Sequence, residues 1–427
     1  MGPFTKIDNE RLTRVGPRTP MGELLRRFWM PFLLAEELGL RDGPPLRVRL
    51  LGEDLIAFRD TEGRLGLLDR FCPHRRVDLF FGRNEQCGLR CAYHGWKFDV
   101  SGNVVDMPAE PPHSPLLKEV KIKSYPVMEW GGLIWAFLGD REFMPASPPE
   151  LEWGLVPPTH RHISKRLQLT NFAQAVEGGV DSSHVGILHS RLDPEHPERP
   201  FRERQLSIID SVPFLAHDTA PKFFVRPTDY GMLIGARRTA TSDSYYWRIT
   251  QFLLPFYTMI APRSPTAPIF GHAWTPIDDV SCWTFTMTWS AARPLDRSEM
   301  DDGAVHVPVT QDGTFRPLIG QQQNFGLDRE KQRLHSTSGI DGIGLQDTAI
   351  QESMGPIVDR SLEMLASGDT AVVAFRTLLL KLAANLENGV APAPATNPQW
   401  YRVRSAGVVL DKNLDFREGA AKLLTIA

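Results

Sequence analysis

The chain has 427 residues, of which 42% are hydrophobic and 23% charged. That length suits two domains and buries a large core without disulfides, and the composition excludes a disordered chain. Its 48 basic and 51 acidic residues leave a net charge of −3, which excludes a strongly basic nucleic-acid binder.

The opening stretch MGPFTKIDNERLTR has no apolar signal core. Lys6 stands where myristoylation needs Ser or Thr. No run reaches the roughly 18 apolar residues of a membrane span. The expected location is cytoplasmic and reducing, with neither membrane nor nucleic acid as partner. In that setting the four cysteines are ligands or core residues, not disulfides.

Residues 20–30 predict a short helix. From Leu46 to about Leu138 the alternation predicts strands, with hairpins at Gly52–Glu53–Asp54 and Glu62–Gly63. The prolines of 139–158 exclude a helix or a central strand and mark a boundary. Two domains are expected: residues 1–150, with a β-rich core at about 46–140, and residues 151–427. In the second, 168–180 predict a helix ending at Gly178–Gly179, and 222–290 hold strand-like runs. A Gly-, Gln- and Asp-rich loop follows at 300–346. Val372, Phe375, Leu379, Leu382 and Leu386 form one stripe of a long helix, capped by Asp369 and Gly389. Residues 391–398 then read as a linker before a short tail. The fold class is α+β: a small all-β domain, then an antiparallel sheet with a long helix laid on it.

Two short motifs concentrate metal-ligand chemistry in the first part. Cys72-Pro-His74 is followed, after a 16-residue gap, by Cys91-Ala-Tyr-His94. Two thiolates can hold one iron and two neutral imidazoles the other, which raises the potential of a [2Fe–2S] cluster. Gly95 permits a tight turn and Trp96 can shield the sulfur side. A structural zinc also accepts two Cys and two His, but typical fingers pair like with like. Cys87 and Cys282 match no ligand spacing and read as buried thiols.

The second group is Glu177-Gly-Gly-Val-Asp181-Ser-Ser-His184-Val-Gly-Ile-Leu-His189. Histidines five apart point about 140° apart on an ideal helix, so they converge only if the helix is kinked or bulged, as Gly186 and Gly178–Gly179 allow. Two imidazoles and one carboxylate with open positions bind O₂ on non-haem Fe(II). Asp347, in Gly344-Leu-Gln-Asp347-Thr-Ala-Ile-Gln-Glu352, is the chosen carboxylate.

Together, C-x-H…C-x-x-H, E-x₃-D-x₂-H-x₄-H and the late Asp347 and Glu352 resemble the Rieske non-haem iron oxygenases over nearly the whole chain. RCAYHGWKFDVSGN, EGGVDSSHVGILH and QDTAIQESMGPIVDRSLEML look most like the phthalate dioxygenase group. The resemblance implies a Rieske domain followed by a helix-grip catalytic domain. It assigns Cys72, His74, Cys91 and His94 to the cluster and His184, His189 and Asp347 to a mononuclear Fe(II). It matches Asp181 to an aspartate that bridges a cluster histidine of one subunit to an iron histidine of the next. It further implies a homotrimer or stacked trimers, and O₂ and an aromatic substrate. This chain has no dinucleotide fingerprint, so a separate flavin and iron–sulfur NAD(P)H reductase is the expected electron source. Gly178 departs from the pattern, since many relatives carry Asn there.

Relatives of that group act on aromatic acids, and a carboxylate in an apolar pocket needs an arginine. Arg226, Arg237 and Arg238 are the candidates, with strand alternation turning only one of the last two inward. Phe252, Phe256 and Trp274 are candidate walls. Dihydroxylation, mono-oxygenation such as O-demethylation, and a non-catalytic electron carrier all stay open, the last distinguished by the iron ligand set.

Overall fold

The computed structural model describes residues 4–209, 212–264 and 266–426. The chain divides into two compact units, Val15–Pro148 and a larger one formed by Pro149–Ala427 with the segment ending at Arg14. The amino-terminal residues therefore belong with the larger unit, not with the first domain as the expected 1–150 boundary had it. Asn171 donates its side-chain amide to the Thr13 carbonyl at 2.9 Å, and Asn9 donates to the Val358 carbonyl.

The smaller unit is built from short antiparallel sheets. Leu46–Leu50, Glu53–Arg59 and Leu65–Asp69 form a meander, turning where Gly52 and Gly63 adopt positive φ. A four-stranded sheet runs from Arg83–Glu85 to Val104–Asp106. The helix expected over 20–30 is only Pro20–Leu25, because the chain turns there and Met30–Leu34 becomes a strand paired with Leu133–Ala136. Ile56, Phe58, Leu68, Leu79, Leu89 and Phe98 form a core that also takes in both ligand cysteines.

The larger unit carries an eight-stranded antiparallel sheet. Its order runs Arg161–Gln168, Cys282–Trp289, Ile269–Pro276, Tyr257–Ile260, Ser244–Leu253, Gly231–Thr239, Lys222–Thr228. The expected tail is a strand, Ala406–Asp411, which pairs with the first half of Ser244–Leu253, followed by the helix Phe416–Leu424. The 300–346 segment is not a bare loop: it holds the helix Arg329–Leu334, and the Phe315 carbonyl accepts from Leu167 at the sheet edge. The long helix is Thr370–Glu387. Asp369 does not cap it through its side chain, because its carboxylate already accepts from the Ala366 amide. Phe375 packs edge-on against Phe252 of the sheet, 5.0 Å between centroids.

One ionic knot ties the helices together. Glu177, on the helix Phe172–Val180, accepts from Arg360 Nε at 2.9 Å and from Arg376 Nε at 2.8 Å. Arg376 also meets Glu363, and Arg360 donates to Asn9 Oδ1. Both guanidiniums are almost fully buried. Burial alone would raise the Glu177 carboxyl, but Arg360 and Arg376 hold it below its ordinary value.

Removing Glu177 leaves two buried cations sharing less negative charge. Glu177→Gln should destabilise the protein by about 3 kcal/mol or more at neutral pH, measured by denaturant unfolding. A depressed carboxyl stabilises above its unfolded value, about 4.3, and loses that contribution as pH falls through the lower folded value. The gap between parent and variant should therefore shrink on acidification.

Candidate active site

In the smaller unit the two ligand loops share one construction. The Cys72 amide donates to the Val77 carbonyl and the Arg76 amide to the Cys72 carbonyl; likewise Cys91 N–H meets Trp96 C=O and Gly95 N–H meets Cys91 C=O. The fifth residue of each loop has positive φ, Arg76 at 58° and Gly95 at 76°. At Gly95 a Cβ would also lie 2.5 Å from Pro108 Cγ, so this turn needs glycine.

Both loops bury sulfur and present imidazole. Cys72 and Cys91 are 2% and 3% exposed, while His74 is exposed and His94 half-buried. The two histidine rings lie 4.5 Å apart. Trp96 stacks on His74 at 4.7 Å and 7°, and so backs an imidazole as well as the sulfur side. The His74 and Arg75 amides donate to the Cys72 sulfur, as donors around an iron–sulfur centre do. Burial, with Cys91 alongside, pushes the Cys72 thiol up to about 11, so metal binding must displace its proton. Paired buried thiols and outward imidazoles fit a mixed-ligand [2Fe–2S] centre. Cys282 is the buried thiol expected, but Cys87 is only half-buried, in the turn Glu85–Gly88.

In the larger unit no kinked helix carries the histidines. The helix Phe172–Val180 ends at Asp181, ahead of both. The Asp181 carboxylate accepts from the Ser183 amide at 2.6 Å and the His184 amide at 3.3 Å. That side-chain competition with the helix ladder ends the helix. A single 3₁₀ turn, His184–Gly186, then swings the chain round to His189. Asp347 arrives from the helix Ile343–Ser353. Its Oδ1 lies 3.3 Å from His189 Nε2 and 3.6 Å from His184 Nε2. All three donor atoms fall within 4.8 Å of one another. The set fits a metal that keeps open coordination positions.

Each ligand has a partner behind it. His184 Nδ1 donates to Asp181 Oδ2 at 3.1 Å, and His189 Nδ1 to Gln346 Oε1 at 2.6 Å. Burial would raise the Asp347 carboxyl, but His189 and His184 bring it down to about 2. Burial depresses His184, yet Asp181 and Asp347 more than reverse this. At Gly178, a Cβ would collide with the Gln351 side-chain nitrogen. The Gln351 amide thus occupies the space that a longer residue at 178 would claim, and it lines the same cavity.

That cavity corrects the expected substrate cations. It is lined by Arg166, Arg248 and Arg263; Arg226, Arg237 and Arg238 are absent from its wall. Arg237 points to the outer face and lies over Tyr245, and Arg226 reaches toward Phe224. Arg238 turns inward, as alternation requires, but its guanidinium is taken by the Ser182 and Asp218 carbonyls at 2.7 and 3.0 Å. Arg263 pairs with Asp302. Arg166 and Arg248 are buried, with hydrogen bonds only to hydroxyls of Thr286 and Ser182 and no carboxylate partner among the described residues. Burial lowers both, Arg166 to about 10. Of the expected apolar walls only Trp274 lines the cavity, beside Ile209, Ile260, Phe270 and Ile343; Phe252 and Phe256 are plain core. Alternation along Tyr246, Arg248, Thr250 and Phe252 was the available signal for Arg248. Gln346 and Arg166 carried none.

Known proteins place these two sites together. Residues 28–126 match the Rieske [2Fe-2S] domain and residues 136–426 the LigXa C-terminal domain like family. The phthalate 4,5-dioxygenase oxygenase subunit of Pseudomonas putida is 38% identical, over 98% of this chain and 95% of its own. The 3-chlorobenzoate-3,4-dioxygenase oxygenase subunit of Comamonas testosteroni is 36% identical, over 96% of each. Among solved structures, the oxygenase of a carbazole 1,9a-dioxygenase oxygenase–ferredoxin complex shares the fold, with a TM-score of 0.54 at 19% identity over 89% of this chain and 95% of that one. With a Rieske [2Fe-2S] domain followed by a unit whose two histidines and one carboxylate fit a metal, the chain belongs to the Rieske non-haem iron oxygenases, in the group of the phthalate 4,5-dioxygenase oxygenase subunits.

Proposed function

We propose that this oxygenase is the terminal component of a multicomponent enzyme that hydroxylates an aromatic acid with O₂. One observation carries the reading: the iron triad opens into an apolar cavity whose wall holds two buried guanidiniums without a carboxylate partner. A buried cation left unpaired is costly, and a substrate carboxylate offsets that cost. Arg248 reaches the loop that carries His184, since it donates to Ser182 Oγ and its charge acts on His184. A carboxylate on its fork, with Ser182 Oγ alongside, orients the ring while Ile209, Ile260, Phe270 and Trp274 exclude water. Bound here, Fe(II) supplies O₂ activation and the [2Fe–2S] centre supplies electrons singly. Asp181 keeps the His184 Nδ1 proton in place and so fixes which nitrogen faces the metal.

Electrons come from a separate protein in this reading. The chain has no dinucleotide fingerprint, and its carbazole relative is held with a ferredoxin. A flavin and iron–sulfur NAD(P)H reductase is the proposed source. The working form is a homotrimer or a pair of stacked trimers. In support, the Asp181 side chain is 20% exposed, in a cleft it shares with the exposed apolar residues Ile350, Met354 and Leu365. Tyr93 is exposed and lies against the His94 ring, 3.8 Å between centroids. Asp181 then serves as the acceptor between His184 and His94 of a neighbouring copy. No helix among the described residues is long and apolar enough to cross a membrane.

Three outcomes test this reading. Asp347→Ala should lose the mononuclear iron and all oxygenation while leaving the cluster spectrum intact; turnover in that variant would show the carboxylate to be misassigned. Asp181→Asn should keep cluster, iron and oligomer but oxidise its reduced cluster slowly in single-turnover stopped flow, with substrate and O₂ present. Rapid oxidation there would remove Asp181 from the electron path. Against a panel of aromatic acids, Arg248→Met should raise KM by roughly ten- to hundredfold, the cost of a charged hydrogen bond. Neutral amide analogues should be little changed. Product analysis on the same panel separates ring hydroxylation from O-dealkylation.

A further inference from the structure

The two iron histidines are held by chemically different groups. His184 is backed by the carboxylate of Asp181, His189 by the neutral side-chain amide of Gln346. An amide oxygen and nitrogen are interchangeable in shape, so the orientation must be read from the network. Here it is fixed: Gln346 Nε2 donates to the Ile340 carbonyl at 2.8 Å. The flipped amide would set two carbonyl oxygens against each other at that distance. Gln346 Oε1 therefore faces His189 at 2.6 Å, and an acceptor there requires the proton on His189 Nδ1. The lone pair is left on Nε2, the atom that lies 3.3 Å from Asp347 Oδ1. His189 and Gln346 are 4% and 6% exposed, so water does not supply a substitute acceptor.

We propose that Gln346 is the positioning residue of the mononuclear site: locked by the Ile340 carbonyl, it fixes His189 as the tautomer that offers Nε2 to the metal. Its neutrality is part of the role. Asp181 and Asp347 already bring two negative charges to a site for a doubly charged ion. A carboxylate at 346 would add a third in a buried place, whereas an amide orients the ring without charge.

The inference rests on the reading of His184, His189 and Asp347 as iron ligands, and the test separates the two. Gln346→Leu and Gln346→Met both remove the acceptor and keep an apolar volume, so one suffices if the other folds poorly. In the full-length protein, iron loss to a fixed concentration of chelator is followed with the cluster absorbance as internal control. Both variants should hold the mononuclear iron about 10- to 100-fold less well, the usual cost of removing such a partner. With Co(II) in the mononuclear site, the parent should show two shifted, exchangeable imidazole proton resonances, one slow to exchange. The slow one should vanish or exchange rapidly in either variant, which a packing role would not cause. Parent-like iron retention, or an unchanged slow resonance, overturns the proposal. His189→Ala is the control: if it retains iron, the ligand reading itself falls, whatever Gln346 does.

Discussion

Arg238 turns its guanidinium beneath the Asp181–Ser182 corner, and the mononuclear site depends on that corner. The arginine is fully buried, and it donates to the Ser182 carbonyl and to the Asp218 carbonyl. Those bonds pin the point at which the chain leaves the helix Phe172–Val180. Without that departure, His184 and His189 would stay on one cylinder, about 140° apart. The corner is held from the helix side as well. Gly179 packs so closely on Trp274 that a Cβ there would overlap the indole, which seats the helix end against the sheet. An inward strand arginine thus builds the loop that carries His184 and His189 and leaves the cavity wall to others.

How much of this was legible in the sequence follows from how far apart the cooperating residues lie. The local form of the two Cys/His loops was readable, because each carries its candidate ligands within four residues and closes on itself by backbone hydrogen bonds. The pairing of His184 with His189 was readable for the same reason, but their geometry was not. The sequence suggested a bent helix; the Asp181 side chain ends the helix outright, by taking the amides of Ser183 and His184. Asp347 was chosen for its place at the start of the late helical segment and matched by the resemblance, since nothing local ties it to residues far upstream.

The cavity wall was the least legible part. Arg166 sits on the edge strand and Arg248 on the fifth strand of the order, and both face the same cavity only through the register of the strands between them. Pairing shifted by one residue would send either side chain to the other face. The sequence offered parity within one strand, which correctly separated Arg237 from Arg238. It did not offer the identity of what each inward residue would meet. Arg238 met carbonyls and Arg248 met open cavity. Two inward arginines on neighbouring strands therefore have opposite uses, decided by the loop above them.

The distribution of charge around the iron ligands follows from this arrangement. Asp347 and Asp181 lie on one side of the balance, Arg166, Arg248 and Arg238 on the other, all in a largely buried region. Arg238 donates to carbonyls, and burial together with the neighbouring Arg248 charge lowers it, which Asp218 and Asp181 offset only in part. Arg166 and Arg248 are lowered by burial because neither has a carboxylate of its own. A metal dication added to the ligands makes the region still more positive. On the proposed reading, Asp181 and Asp347 offset the charge of the metal, and the guanidiniums of Arg166 and Arg248 favour an incoming anion. Substrate charge and metal charge are then coupled through one low-dielectric volume. On that reading an anionic ring binds more favourably once the metal is in place, and a neutral ring gains nothing from it.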